Sequence, residues 1–158
     1  VYPPLPPEVL ATSSRPGKGW PISSNEEEHF RRSIYIHVKR SLRYQMLADF
    51  DQADTDTACA VRFVTTVPTQ ALSMLNSKFV NDQAAVFAAR MRGYGGGVRD
   101  QISSGLALAL QREVSSDELD YLTDLHAQLQ RELDLSSEEA LPRGALLALN
   151  LNEFIYLD

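Results

Sequence analysis

Reactive sulfur is scarce in this chain: Cys59 is the single cysteine among 158 residues. One thiol excludes an internal disulfide, a four-cysteine zinc site and the Cys-x-x-Cys-His attachment of a c-type haem, so any haem belongs to another part of a longer protein. No metal-ligand set is visible by spacing. Long apolar runs are missing too, and a stretch such as ALLAL at residues 145–149 suits a core helix rather than the roughly 20 residues of a membrane span. Positive charge is in deficit, with 15 Lys and Arg against 21 Asp and Glu, a net charge of −6 and a pI near 5.0. That balance argues against nonspecific nucleic-acid binding, which uses a basic face. The sequence opens on Val1 with no basic and apolar leader, so the expectation is a piece of a larger multidomain protein. Its length suits one domain that buries about two thirds of its unfolded surface.

What is present points to helices. Residues 1–24 hold Pro3, Pro4, Pro6, Pro7, Pro16 and Pro21 with Gly17 and Gly19, and read as an extended Pro-rich arm or linker. P-x-x-P spacings at Pro3 and Pro4 arise cheaply by chance, and Trp20 reads as an anchor for the arm. Residues 25–158 read as one helical domain. Ser23, Ser24 and Asn25 before Glu26, Glu27 and Glu28 form a helix start. Phe30, Ile34 and Val38 then continue at helical spacing, although Ile34, Ile36 and Val38 also alternate like a strand; the cap favours helix.

The densest signals lie in residues 61–91. Thr66 is an N-cap candidate with Pro68 in the first turn, and Ala71, Leu72 and Leu75 share a face. Asn76 and Ser77 break the helix. A second one carries Phe79, Val80, Gln83, Phe87 and Met91 beside Ala84 and Ala88, giving a helical hairpin expected to form the core. RGYGGGV, from Arg92, reads as a turn and lacks the Lys-Ser/Thr of a phosphate loop. Residues 98–112 read as a helix facing inward through Ile102, Leu106 and Leu110. Ser115 or Ser116 caps the next, whose stripe is Leu119, Leu122, His126, Leu129 and Leu133. His126 on that stripe reads as a hydrogen-bonded core histidine. Pro142 is placed near the start of a last helix that buries Leu146 and Leu149 and stops by Asn152, before Phe154 and Tyr156. The fold class is therefore all-α, an orthogonal bundle of about five to six helices with a Pro-rich N-terminal arm.

Chemistry is harder to read. Asp49, Asp51, Asp54 and Asp56 invite calcium, but Ala53, Asp54 and Ala60 stand where a helix-loop-helix site needs a ligand, glycine and glutamate. A polar group of Arg31, Arg32, Asp49, Asp51, Arg62, Thr65, Thr66, Gln70 and Asn76 reads either as an internal ion-pair and capping network or as a site holding an anionic substrate beside a carboxylate base. Arg32, Lys39 and Arg43, with Tyr35 at the edge, form an anion strip that would suit a sulfated or carboxylated polysaccharide, or a solvated outer face. Cys59 with His37 is imaginable as a thiol pair, yet a lone buried cysteine is the commoner fact.

RRSIYIHVKRS from Arg31, FD-x-AD-x-D-x-x-C from Phe50, RFVTTVPTQALSMLN from Arg62 and NEFIYLD from Asn152 occur in this order, with LALALQREVSSDEL from Leu106 between them. Together they resemble the C-terminal planctomycete-specific domain of unknown function found in planctomycete-type cytochrome c proteins. The likeness runs from about His29 onward. It implies an exported, periplasmic or cell-surface setting, a parent polypeptide with haem c in an upstream part, and preceding domains of that polypeptide as partners. It brings no known reaction. The reading is a structural or interaction module, with a catalytic or polyanion-binding domain as the alternative.

Overall fold

The computed structural model describes residues 1–11, 19–53 and 68–156. The chain divides into two compact units, Val1–Gln70 and Ala71–Asp158. Every regular element among the described residues is helical, apart from an isolated antiparallel bridge between Lys39 and Leu42. The all-α expectation holds.

The first unit is made of short pieces: α1 (Pro7–Ala11), 3-10 turns at Glu26–Phe30 and Ser33–Tyr35, and α2 (Gln45–Asp49). Such pieces cannot bury much individually, and they gather on Leu5, Trp20 and Leu42, with Tyr2, Val9, Leu10, Ile36 and Tyr44 packed around. Trp20 anchors the Pro-rich segment as its composition suggested. Its indole N–H donates to the Pro3 carbonyl at 2.7 Å, and the Tyr2 ring meets it edge-on at 5.1 Å. Tyr2 N–H donates to Ser23 Oγ, and Ser23 N–H returns to the Tyr2 carbonyl, both at 3.0 Å.

The cap at Asn25 forms, with Oδ1 accepting from the Glu27 N–H at 3.0 Å, but the helix expected beyond it does not. The chain leaves the first 3-10 turn at Arg31 in extended conformation and does so again at Ile36. The β-branched Ile34, Ile36 and Val38 lose side-chain freedom in a helix, and one cap does not compensate for a stripe with nothing to face. The alternating pattern fails as well, since a strand would put Ile34, Ile36 and Val38 on one face. Ile36 packs inward on the Trp20 cluster while its neighbours two residues away, Ile34 and Val38, stay exposed.

α3 (Pro68–Asn76) leads into the second unit, and Pro68 opens it as anticipated. Thr66 lies outside the described residues. Ser77 then caps α4 (Lys78–Gly93) by accepting from the Val80 N–H at 3.4 Å. Asn81 locks the corner, its Nδ2 donating to the carbonyls of Leu75 and Ser77, both at 2.9 Å. The face of α4 that becomes buried is Val80, Ala84, Ala88 and Met91, against Ala140, Leu141, Ala145 and Ala148 among the buried residues of α7 (Ser137–Ala148). Alanines on both helices permit close approach. Leu72 is exposed and Leu75 half-buried, so the expected core shifts from the α3–α4 hairpin to the α4–α7 pair.

Gly95 and Gly96, both at φ 74°, turn the chain into α5 (Val98–Leu110), where Ile102, Gly105 and Leu106 are buried. A Cβ on Gly105 would lie 2.7 Å from Met91 Cγ and Cε, so that glycine lets α5 close on α4. α6 (Ser116–Leu133) begins at Ser115, which shares a reciprocal capping box with Glu118. Its stripe faces inward through Leu119, Leu122, His126 and Leu129, whereas Leu133 runs past its partners into solvent. Ser136 and Glu139 form the same box for α7, so that helix starts at Ser137 and Pro142 falls in its second turn rather than at its start. Proline there removes a single intrahelical bond, toward the Glu138 carbonyl. α8 (Asn152–Ile155) takes up the aromatic tail.

Candidate functional site

The polar residues singled out by sequence make short-range contacts. Arg31 reaches Glu28 at 3.9 Å, with its guanidinium 5.9 Å from the Tyr35 ring centre. Asp49 accepts from Gln45 Nε2 at 2.7 Å, and Asn76 Nδ2 donates to the Leu72 carbonyl at 2.9 Å. Asp51 adopts φ 56° just past α2, Gln70 is buried, and Arg32 is exposed where the second 3-10 turn begins. Arg62, Thr65, Thr66 and Cys59 lie outside the described residues, as do Asp54 and Asp56. His37 stacks near Tyr2, ring centres 4.7 Å apart. Of the anion strip, Lys39 sends its ammonium to the Gly19 carbonyl, and Arg32 and Arg43 are exposed. Among the described residues no three His, Cys, Asp or Glu side chains group as metal ligands would.

Around these arginines the chain runs as an exposed stretch of mixed character. Phe30 is 61% exposed, Ile34 82%, Tyr35 58% and Val38 45%, interleaved with the exposed Arg31, Arg32, Arg40 and Arg43. Its backbone is held: the Tyr35 carbonyl accepts from Val1 N at 2.7 Å, His37 N–H donates to the Val1 carbonyl at 2.9 Å, and the Lys39–Leu42 bridge closes the far end. Burial of Leu42 and Ile36 beneath leaves the large apolar side chains outward.

Two other constellations in the second unit bear on chemistry. Arg112, the arginine in the turn between α5 and α6, commits all five N–H donors. Nε and Nη2 go to Glu153 at 2.7 and 2.8 Å, Nη1 and Nη2 to Glu118 at 3.0 and 2.6 Å, and Nη1 to the Glu113 carbonyl at 2.9 Å. The guanidinium, with the Ser115 cap, pulls Glu118 down to about 2, and the same arginine holds Glu153 below the ordinary carboxylate range. A donor set so fully used is a clasp between the α5–α6 turn and α8. Local sequence gave no sign of Glu153, which is 41 residues away.

His126 is 4% exposed on α6. Its Nε2 sits 3.2 Å from Ser137 Oγ, while Nδ1 is buried with no partner among the described residues. Beside it is a void of about 10 Å³ lined by Met91, Ile102, Leu106, Leu122 and Leu141, and burial pushes the imidazole below its usual pKa. Among the described residues no carboxylate orients the ring, so the His126–Ser137 pair is shown without a third member. His126 is a core histidine bonded on one side, close to the sequence reading.

No curated protein and no solved structure matches the chain. A family model described as "PSD1: Protein of unknown function (DUF1553)" matches residues 1–126, which takes in the Pro-rich segment as well as the motifs from Arg31 to Leu119 and leaves NEFIYLD outside the match. The chain belongs to that family of unknown function.

Proposed function

We propose that this domain is a noncatalytic docking module, the C-terminal structural or interaction part of a large exported protein, and that it packs on preceding domains of the same polypeptide. The observation that carries the reading is the face of Phe30, Ile34, Tyr35 and Val38, four large apolar side chains held outward on a fixed backbone. A chain with an otherwise acidic surface gains nothing from exposing such a cluster unless something covers it. Arginine, tyrosine, phenylalanine and isoleucine also suit the centre of a protein interface. A polyanionic sugar on Arg32, Lys39 and Arg43 is the weaker reading, since Lys39 is turned to Gly19 and the apolar residues would remain wet.

A photo-crosslinking residue at position 35 of the intact parent polypeptide tests the reading. Cross-links to upstream segments are expected; their lack, with efficient capture of solvent, overturns it. The visible spectrum of the same polypeptide, exported from a host able to attach haem, is expected to show a haem c band, placing the docked neighbour beside a redox centre.

A further inference from the structure

Residues 29–48 contain Arg31, Arg32, Lys39, Arg40 and Arg43 and no Asp or Glu, in a chain of net charge −6. We propose that the surface this face takes is acidic and carries a few apolar side chains of its own, so that docking is steered and held in part by charge. The inference rests on the docking reading and adds the chemistry of the occupant.

Along the sequence the carboxylates flank this stretch, at Glu26 to Glu28 and at Asp49 and Asp51, and the exposed cations offered to a partner are Arg31 and Arg32. Arg31 meets Glu28 only at 3.9 Å with both side chains substantially exposed, which leaves its planar fork able to accept a carboxylate from outside. Arg31 also lies near the Tyr35 ring, so cation and apolar surface form one unit rather than two separate regions. That interleaving distinguishes the face from a lipid-inserting surface, where cations and apolar groups segregate to opposite sides of an amphipathic helix. Here the backbone is two 3-10 turns and a bridge, and Phe30, Ile34, Tyr35 and Val38 alternate with the basic residues. The platform is also preorganised by its bonds to Val1, which lowers the ordering cost of binding. An acidic partner would meet both features, the carboxylates finding arginine forks while apolar side chains cover Ile34 and Phe30.

Amide hydrogen exchange over residues 29–43, compared between the 158-residue chain and the intact parent, separates the possibilities. Protection in the parent that falls about tenfold between low salt and 0.5 M salt, and falls likewise in the Arg31→Gln/Arg32→Gln variant at low salt, supports an acidic occupant. Protection indifferent to salt and to that variant, yet lost in Ile34→Asp, overturns the acidic partner and leaves the docking reading standing. Equal exchange in parent and chain overturns both. Protection of the chain alone that rises with its concentration assigns the face to a second copy and overturns the proposal. Sedimentation with vesicles of anionic phosphatidylglycerol, but no protection in the parent, assigns it to lipid and overturns it as well. The salt series uses the unaltered protein, so the test does not depend on a variant folding.

Discussion

At the residue scale, His126 and Glu118 shape the pH behaviour in different windows. His126 has its folded pKa pushed down by burial from an ordinary 6.5, so the unfolded chain takes up a proton before the folded chain does. Stability is then full above about 6.5 and declines as pH falls below it. The unpaired Nδ1 adds a cost of its own, about 1–3 kcal/mol for a buried polar atom without a partner. His126→Leu is therefore expected to match or exceed the parent chain in urea midpoint at pH 8, and to exceed it clearly at pH 5. A variant weaker at both pH values would mean that the Ser137 contact outweighs the orphaned nitrogen. Glu118 belongs to a lower window. Its carboxylate falls from 4.5 to about 2 through Arg112, so its contribution is complete above 4.5 and disappears between there and about 2. Arg112→Gln should lower the melting temperature at neutral pH and flatten its acid decline, leaving both proteins alike near pH 2. Parallel decline in the two would show that Arg112 is not what holds these carboxylates ionised.

At the scale of elements, the helix starts after Ser77 and Ser115 were legible because a helix end is a local chemical event: each places an oxygen where an unpaired N–H needs one. Ser136 does the same for α7, with Glu139 returning the bond, but there Pro142 drew the reading to a later start. Burial was less legible. Phe30, Ile34 and Val38 have helical spacing yet no core to meet, and Leu72 and Leu75 are apolar on a short helix that turns little of its surface inward. The core instead uses alanines, which periodicity undervalues because their apolar area is small. Leu141→Ala is expected to cost about 2–5 kcal/mol, as for a buried leucine. Leu75→Ala should cost less, about 1–2 kcal/mol, in proportion to its half-burial. Equal costs by chemical denaturation would restore the hairpin as the core. Gly105→Val tests the α4–α5 contact. Its Cβ meets Met91 side-chain atoms at 2.7 Å, and a β-branched residue leaves Met91 nowhere to retreat, so a loss of about 1–3 kcal/mol is expected.

At the scale of the whole molecule, the two units differ in what holds them. Ala71–Asp158 contains the long helices α4 to α7 and a contiguous buried set running from Val80 to Ala148. Among the described residues of Val1–Gln70, Leu5, Trp20 and Leu42 are buried with a ring of half-buried neighbours, and Phe30, Ile34, Tyr35 and Val38 are exposed. The apolar stretch after Phe30 suggested a helix, because short irregular segments carry their order in a few long-range contacts, such as Trp20 with Pro3, that have no sequence period. The described elements of the first unit are short while the second holds long packed helices, so the first unit is expected to open at lower urea than the second. Trp20, as the sole tryptophan, reports the first unit by fluorescence, while the helical circular dichroism signal is dominated by the second. The fluorescence transition should precede the dichroism transition. Addition of the upstream part of the parent should move the fluorescence transition toward the second if the exposed face is covered there, since a partner that binds only the folded state stabilises it. Coincident transitions in the isolated chain would instead mean that it unfolds as one cooperative body, with the Trp20 cluster no weaker than the helical core.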